Sequence, residues 1–137
     1  MNADRYCVIL TDKVVPYFKR DMNRDKYFQQ DGASPHYSLN ARTILHKDLP
    51  GQWIGRRGPI EWPARSPDLT ACDYWLWAYM RSKIYPDGTI YETLEELHAK
   101  IEETLQNIPM DMFRRTINDF RKRLTKCQEV NGGLFEQ

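Results

Sequence analysis

The sequence predicts a mixed α/β fold with a helical C-terminal part. Short segments at 27–30 and 53–62 are rich in aromatic and β-branched residues and lie beside turn sequences, which is typical of strands. A run at 70–85 and two segments within 92–126 repeat apolar residues at helical spacing. With 137 residues, of which 41% are hydrophobic, the chain is long enough for one domain with a packed core.

The charge balance and the cysteines narrow the class of protein. Twenty basic and nineteen acidic residues give a formal net charge of +1, so any contact with nucleic acid must be local. The three cysteines are far apart and form no C-x-x-C motif, which argues against a disulfide framework or a zinc site. We therefore expect an intracellular setting. The longest apolar run, 74–80, is far shorter than the ~20 residues that span a bilayer, and no secretory signal is visible.

The N-terminal segment, 2–19, is predicted to be a helix because apolar and aromatic residues recur in it every four positions. These residues are Tyr6, Leu10, Val14 and Phe18. The apolar run within it could equally form a strand. The elements expected next are a strand at 27–30, a helix at about 36–47, short extended pieces at 53–54 and 60–62, and a helix at about 70–85.

Two amphipathic helices are expected in the last third of the chain. Thr93 and Glu96 form a capping box, which predicts that a helix begins there and ends near Pro109. The apolar residues of the second helix are Phe113, Ile117, Phe120 and Leu124. Several arginines and lysines lie between them, and residues 127–137 are expected to form a loose tail.

Asp73 is unexpected, because it lies among tryptophans and other apolar residues at the start of an apolar helical stripe. Three explanations are open: a capping box with Thr70, a surface position, or a metal ligand. The tryptophans, Trp53, Trp62, Trp75 and Trp77, are expected in the core rather than stacked on bases.

Asp31 offers a possible partner for Asp73, although Asp-Gly after a strand is often only a turn. The carboxyl end of a strand is where an open sheet places functional groups. Two facing carboxylates repel one another unless a divalent cation lies between them, and oxygen ligands suit Mg2+ or Mn2+.

Three motifs resemble the catalytic core of mariner-type transposases, which occur in many insect genomes. They are QQDGASPH at 29–36, WIGRRGPIEWPARSPDLTACDYWLW at 53–77 and MRSKIY at 80–85. The resemblance implies an RNase H-like fold with a DDE/D triad and two Mg2+ or Mn2+ ions. It further implies cleavage of DNA at the element ends, strand transfer into target DNA, and a nuclear location. DNA is thus the implied partner, and a homodimer is left open.

The same resemblance assigns roles to individual residues. Asp31 matches the second acid and Asp73 the third, with 41 residues between them, while Asp68 matches a structural loop position. A second group comprises His36, Arg56, Arg57 and Arg65. These residues are expected either to contact DNA phosphate or to be ordinary solvated or capping residues.

The first acid of the triad has no clear match. Asp12 follows a strand-like run, but 18 residues separate it from Asp31, too few for the strands and helix that the fold places between the two acids. We therefore expect the C-terminal part of a catalytic domain, inactive alone. Two alternatives are a nucleic-acid-binding remnant without catalysis, and a module whose C-terminal helices pair with another protein.

Overall fold

The computed structural model describes residues 1–63 and 66–133, and the chain divides into two units, Met1–Arg65 and Ser66–Gln137. The first unit contains helix α1 (Ala3–Ile9), a π-helical segment (Leu10–Val14), α2 (Val15–Phe18), a 3-10 turn (Asp21–Asn23), strand β1 (Phe28–Gln29), α3 (Leu39–Asp48) and strand β2 (Trp53–Ile54). The second contains a π-helical segment (Cys72–Leu76), α4 (Trp77–Ile84), a 3-10 turn (Pro86–Gly88), α5 (Leu94–Gln106) and α6 (Met110–Glu129). Among the described residues, no helix is sufficiently long and apolar to cross a membrane.

The N-terminal segment is helical, so the strand alternative for its apolar run is wrong. Asn2 caps α1 by accepting a hydrogen bond from the Arg5 backbone N–H at 3.0 Å. The π-helical segment has more residues per turn than an α-helix, which shifts the buried face by one position. The next buried residue after Leu10 is therefore Val15, whereas Val14 of the predicted stripe is half-buried.

Strands β1 and β2 form a two-stranded parallel sheet, with Phe28 opposite Trp53 and Gln29 opposite Ile54. The backbone N–H of Phe28 donates to Gln52 O, and that of Gln30 to Ile54 O, both at 2.9 Å. The predicted extended piece at 60–62 is reduced to a single bridge between Ile54 and Ile60. β1 ends at Gln29, one residue before the predicted strand end, and Asp31 follows two residues later.

The core of the first unit surrounds Trp53, whose side chain is completely buried. It packs with residues from all three helices, namely Tyr6, Leu10, Val15, Phe18, Ala41, Leu45 and Leu49. Two glycines allow the following loop to pass over the indole: a Cβ at Gly58 would lie 2.8 Å from Trp53 Cζ3, and one at Gly55 would lie 2.8 Å from Gln30 Cγ. The loop that carries the arginines is thus fitted against this core.

The helices of the second unit confirm the predicted capping box. The Thr93 hydroxyl accepts a hydrogen bond from the Glu96 N–H at 3.2 Å, and α5 begins at Leu94, the residue after Thr93. The Glu96 carboxylate in turn accepts from the backbone N–H of Glu92 at 3.1 Å.

The predicted amphipathic helix is present as α6, and three of its apolar residues, Phe113, Ile117 and Leu124, are exposed. The helix buries Thr116, and the hydroxyl of Tyr74 donates to the Thr116 carbonyl at 3.1 Å. The side of α6 that faces the π-helical segment makes this hydrogen bond and also an edge-on contact between the rings of Phe113 and Trp75, with centroids 5.6 Å apart.

Candidate active site

Asp31 lies in a tight turn, two residues after the end of β1. Its Oδ1 atom accepts a hydrogen bond from the backbone N–H of Ala33 at 3.0 Å. His36 Nδ1 lies 2.5 Å from the same oxygen. Because an ionised carboxylate can only accept, Nδ1 carries the proton in this contact. The side chain remains 52% exposed, and Oδ2 accepts no hydrogen bond from the described part of the chain.

His36 is held in place by two buried residues. Its ring lies against that of Tyr6, with centroids 4.4 Å apart, and its carbonyl accepts a hydrogen bond from Gln30 Nε2 at 2.8 Å. The Tyr6 hydroxyl donates to Gln30 Oε1 at 2.6 Å. Burial, together with the nearby charge of Asp31, raises the pKa of Tyr6 above its ordinary value, so this hydroxyl keeps its proton at neutral pH.

Arg56 and Arg57 gather over one aromatic ring in the same unit. Their guanidinium carbons lie 4.2 Å and 6.0 Å from the centroid of Tyr37. The side chain of Arg42 donates from Nε to the Tyr37 carbonyl at 3.0 Å. A Cβ at Gly32, the residue after Asp31, would lie 3.7 Å from Arg56 Cδ. The structure thus brings four predicted site residues, Asp31, His36, Arg56 and Arg57, into one region of the first unit.

Asp73 lies in the second unit, in the π-helical segment that precedes α4. The predicted capping box with Thr70 is wrong: the Thr70 hydroxyl donates to Ser66 O at 3.0 Å, and the segment has no side-chain cap. Asp73 is exposed, and its Oδ1 accepts from the indole Nε1–H of Trp77 at 3.0 Å. Trp77 is itself 58% exposed, which contradicts its predicted core position.

The two carboxylates have the chemistry that a hard cation requires. In each residue, one carboxylate oxygen accepts hydrogen bonds. Oδ1 of Asp31 accepts from His36 and Ala33, and Oδ1 of Asp73 accepts from Trp77. These bonds restrict the orientation of the second oxygen. Exposed carboxylate oxygens of this kind suit Mg2+ or Mn2+. Within residues 1–63 and 66–133, no three side chains of His, Cys, Asp or Glu are grouped as for a metal ion.

Three candidate residues remain: Asp12, Asp68 and Arg65. Asp12 lies in the helical segment after α1 and not on a strand, which agrees with its rejection as the first acid. Asp68 is buried, and its carbonyl accepts from Arg123 Nη1 at 3.1 Å, as expected of a structural residue. Arg65 lies outside the described residues.

Sequence reasoning missed the residues that support these groups. Tyr6, Gln30, Tyr37 and Arg42 make the contacts described above. One signal for these contacts was available in the sequence. Gln30 is a polar residue at the end of a predicted strand, and a polar group that becomes buried there requires a hydrogen-bond partner.

Comparison with known proteins identifies similar sequences and structures. The Tc3 transposase of Caenorhabditis elegans is 26% identical over 132 residues, which cover 96% of this chain and 38% of that protein. The Tc1 transposase of the same organism is 25% identical over 134 residues, covering 96% and 45% respectively. No protein-family model matches the chain.

A solved structure of the Mos1 transposase catalytic domain, with raltegravir and Mg, matches with a TM-score of 0.74 and 25% identity. The match covers 99% of this chain and 66% of that one. A second Mos1 structure, with Mn, matches with a TM-score of 0.73.

The chain therefore has the RNase H-like fold of a DDE transposase catalytic domain. Its relatives are the Tc1/mariner transposases, as its motifs predicted. It spans 38–45% of the length of the curated relatives that it matches.

Proposed function

We propose that this chain supplies part of a transposase active site that cleaves and joins DNA strands with divalent metal ions. The observation that carries the proposal is the Asp31 turn, in which a half-exposed carboxylate at the end of β1 is oriented by His36. The likeness to Mos1, whose catalytic domain has been solved with Mg and with Mn, supports the choice of metal. Action on chromosomal DNA implies a nuclear location.

Each residue has a defined task in this proposal. Asp31 and Asp73 each provide a carboxylate oxygen for Mg2+ or Mn2+. Such ions, when bound, activate a nucleophile and neutralise the charge that develops on phosphate oxygens. His36 restricts the rotation of the Asp31 carboxylate. Arg56 and Arg57 have five N–H donors each and contact the DNA phosphates, and Arg65 has the same expected role from sequence.

A calorimetric titration of the purified chain with Mn2+ tests the proposal. We expect weak binding to the wild type, and Asp31→Asn and Asp73→Asn should each lower the affinity at least about tenfold, because an amide oxygen is a poorer ligand for a hard cation than a carboxylate. Asp12→Asn is a matched control, since Asp12 is an exposed carboxylate of the first unit on a helical segment. Its affinity for Mn2+ should equal that of the wild type.

Equal Mn2+ binding by the wild type and both site variants would contradict the proposal. We further propose that residues 1–137 do not cleave DNA unaided, because no strand carboxylate stands in for the first acid in the described residues. Metal-dependent cleavage of a DNA end by the purified chain would overturn this second proposal and leave the first intact.

A second candidate function, DNA contact without catalysis, is favoured by the gathering of Arg42, Arg56 and Arg57 around Tyr37. If Arg56 and Arg57 each neutralise one phosphate, replacing both by Ala should reduce the slope of log K against log salt by about 2. The slope is measured by fluorescence anisotropy with labelled duplex DNA. If replacing Arg5 and Arg24 by Ala reduces the salt slope equally, DNA binding is not specific to the arginines around Tyr37. DNA binding with the expected slope, unaffected by Asp31→Asn and Asp73→Asn, is the outcome that selects this candidate.

A further inference from the structure

Asp31 is connected to the N-terminal helix by a continuous series of contacts. The hydroxyl of Tyr6 donates to Gln30, the amide of Gln30 donates to the carbonyl of His36, and the imidazole of His36 donates to Asp31. The ring of Tyr6 also packs on the imidazole, at 4.4 Å between centroids. Tyr6 thus contacts His36 directly through its ring and indirectly through Gln30.

Two of the side chains that make these contacts are buried. Tyr6 is 6% exposed and Gln30 5% exposed, so neither side chain can exchange its partner for bulk water without opening the core. Gln30 uses both ends of its amide: the oxygen accepts from Tyr6 and the nitrogen donates to His36, which leaves one orientation of the amide compatible with both bonds. The imidazole of His36 is confined between the Tyr6 ring and the Asp31 carboxylate.

We infer that Tyr6 is a positioning residue for the metal ligand Asp31, acting through Gln30 and His36 to keep Oδ1 occupied and Oδ2 available to a divalent cation. The inference rests on the proposed function of Asp31. A phenylalanine would fill the same place in the core and cover the same face of the imidazole. The hydroxyl is needed only for the bond to Gln30, so its presence is explained by the orientation of the amide.

Tyr6→Phe separates the hydroxyl from the ring. Residues that orient a metal ligand contribute about 10–100-fold to metal affinity, and we expect this variant to raise the Kd of the chain for Mn2+ about tenfold. In the metal-free chain, the His36 side chain should also change from one dominant rotamer to several, as measured by NMR couplings. Gln30→Ala should have the same two effects, whereas Gln29→Ala, which alters the exposed neighbour in β1, should have neither.

Val15→Ala distinguishes a positioning role of Tyr6 from a general loss of stability, because it truncates a buried residue of the same core. We expect it to lower the unfolding temperature while leaving the Kd for Mn2+ and the His36 rotamer unchanged. An unchanged His36 rotamer and Kd in Tyr6→Phe would overturn the inference and leave the role of Asp31 standing. If instead Asp31→Asn binds Mn2+ as well as the wild type does, the proposed function fails and the inference fails with it.

Discussion

Trp53→Ala is expected to lower the free energy of unfolding of the first unit by about 3–5 kcal/mol, in the range measured for truncation of large buried aromatic residues. The indole is completely buried and contacts residues from the surrounding helices. The edge of the His46 ring meets it at 5.1 Å between centroids. Removal would leave a cavity beneath the loop of Gly55 and Gly58. Urea unfolding followed by circular dichroism measures the effect.

Trp53→Phe is the matched control, because it keeps an aromatic ring in the cavity. The indole Nε1 of Trp53 has no hydrogen-bond partner among the described residues, so this variant removes no bond and relieves a buried donor of its desolvation cost. We expect a clearly smaller loss than for Ala. A change in Trp53→Ala within about 0.5 kcal/mol of wild type, as for surface substitutions, would show that the indole is not part of a packed core.

Leu45→Ala is expected to cost about 2–5 kcal/mol, the range for buried leucines. Leu45 is 0% exposed on α3, facing the core that contains Trp53. Leu39, on the same helix, is 70% exposed and provides a control of identical chemistry. Because Ala is a slightly better helix former than Leu, Leu39→Ala should be neutral within about 0.5 kcal/mol. The unfolding temperature of both variants, measured by calorimetry, makes the comparison.

Equal effects of the two leucine substitutions would contradict the assignment of the buried face of α3. A loss confined to Leu45→Ala would instead support the orientation that carries Ser38, the N-cap residue of α3, next to the turn of Asp31 and His36.

Local signals in the sequence predicted the helices of this fold well, because each signal involves residues three or four positions apart. Thr93 and Glu96 are the clearest example. The same reasoning failed for Thr70 and Asp73, which have the same spacing, because the backbone there is π-helical and Asp73 bonds to Trp77 instead. A rule based on 3.6 residues per turn cannot anticipate an inserted residue.

The turn at the end of β1 was also predictable, since Asp-Gly after an aromatic strand is a local pattern. The partner strand was not, because the parallel pairing of Phe28 with Trp53 joins residues far apart in the chain. For the same reason, nothing in the local sequence indicates that Tyr6 reaches Gln30, a bond across 24 positions. Contacts of this kind depend on the packing of whole elements.

The short range of the Asp31 turn has a consequence for the order of folding. Its bonds to Ala33 and His36 close loops of two and five positions, far shorter than the 24 positions that the bond from Tyr6 to Gln30 spans. The carboxylate can thus adopt its arrangement in a nascent or unfolded chain, before β1 finds β2. The bond from Gln30 to the His36 carbonyl is equally local, whereas the contacts with Tyr6 require the N-terminal helix to dock. The Asp31 turn can therefore form before the contacts with Tyr6 that support it.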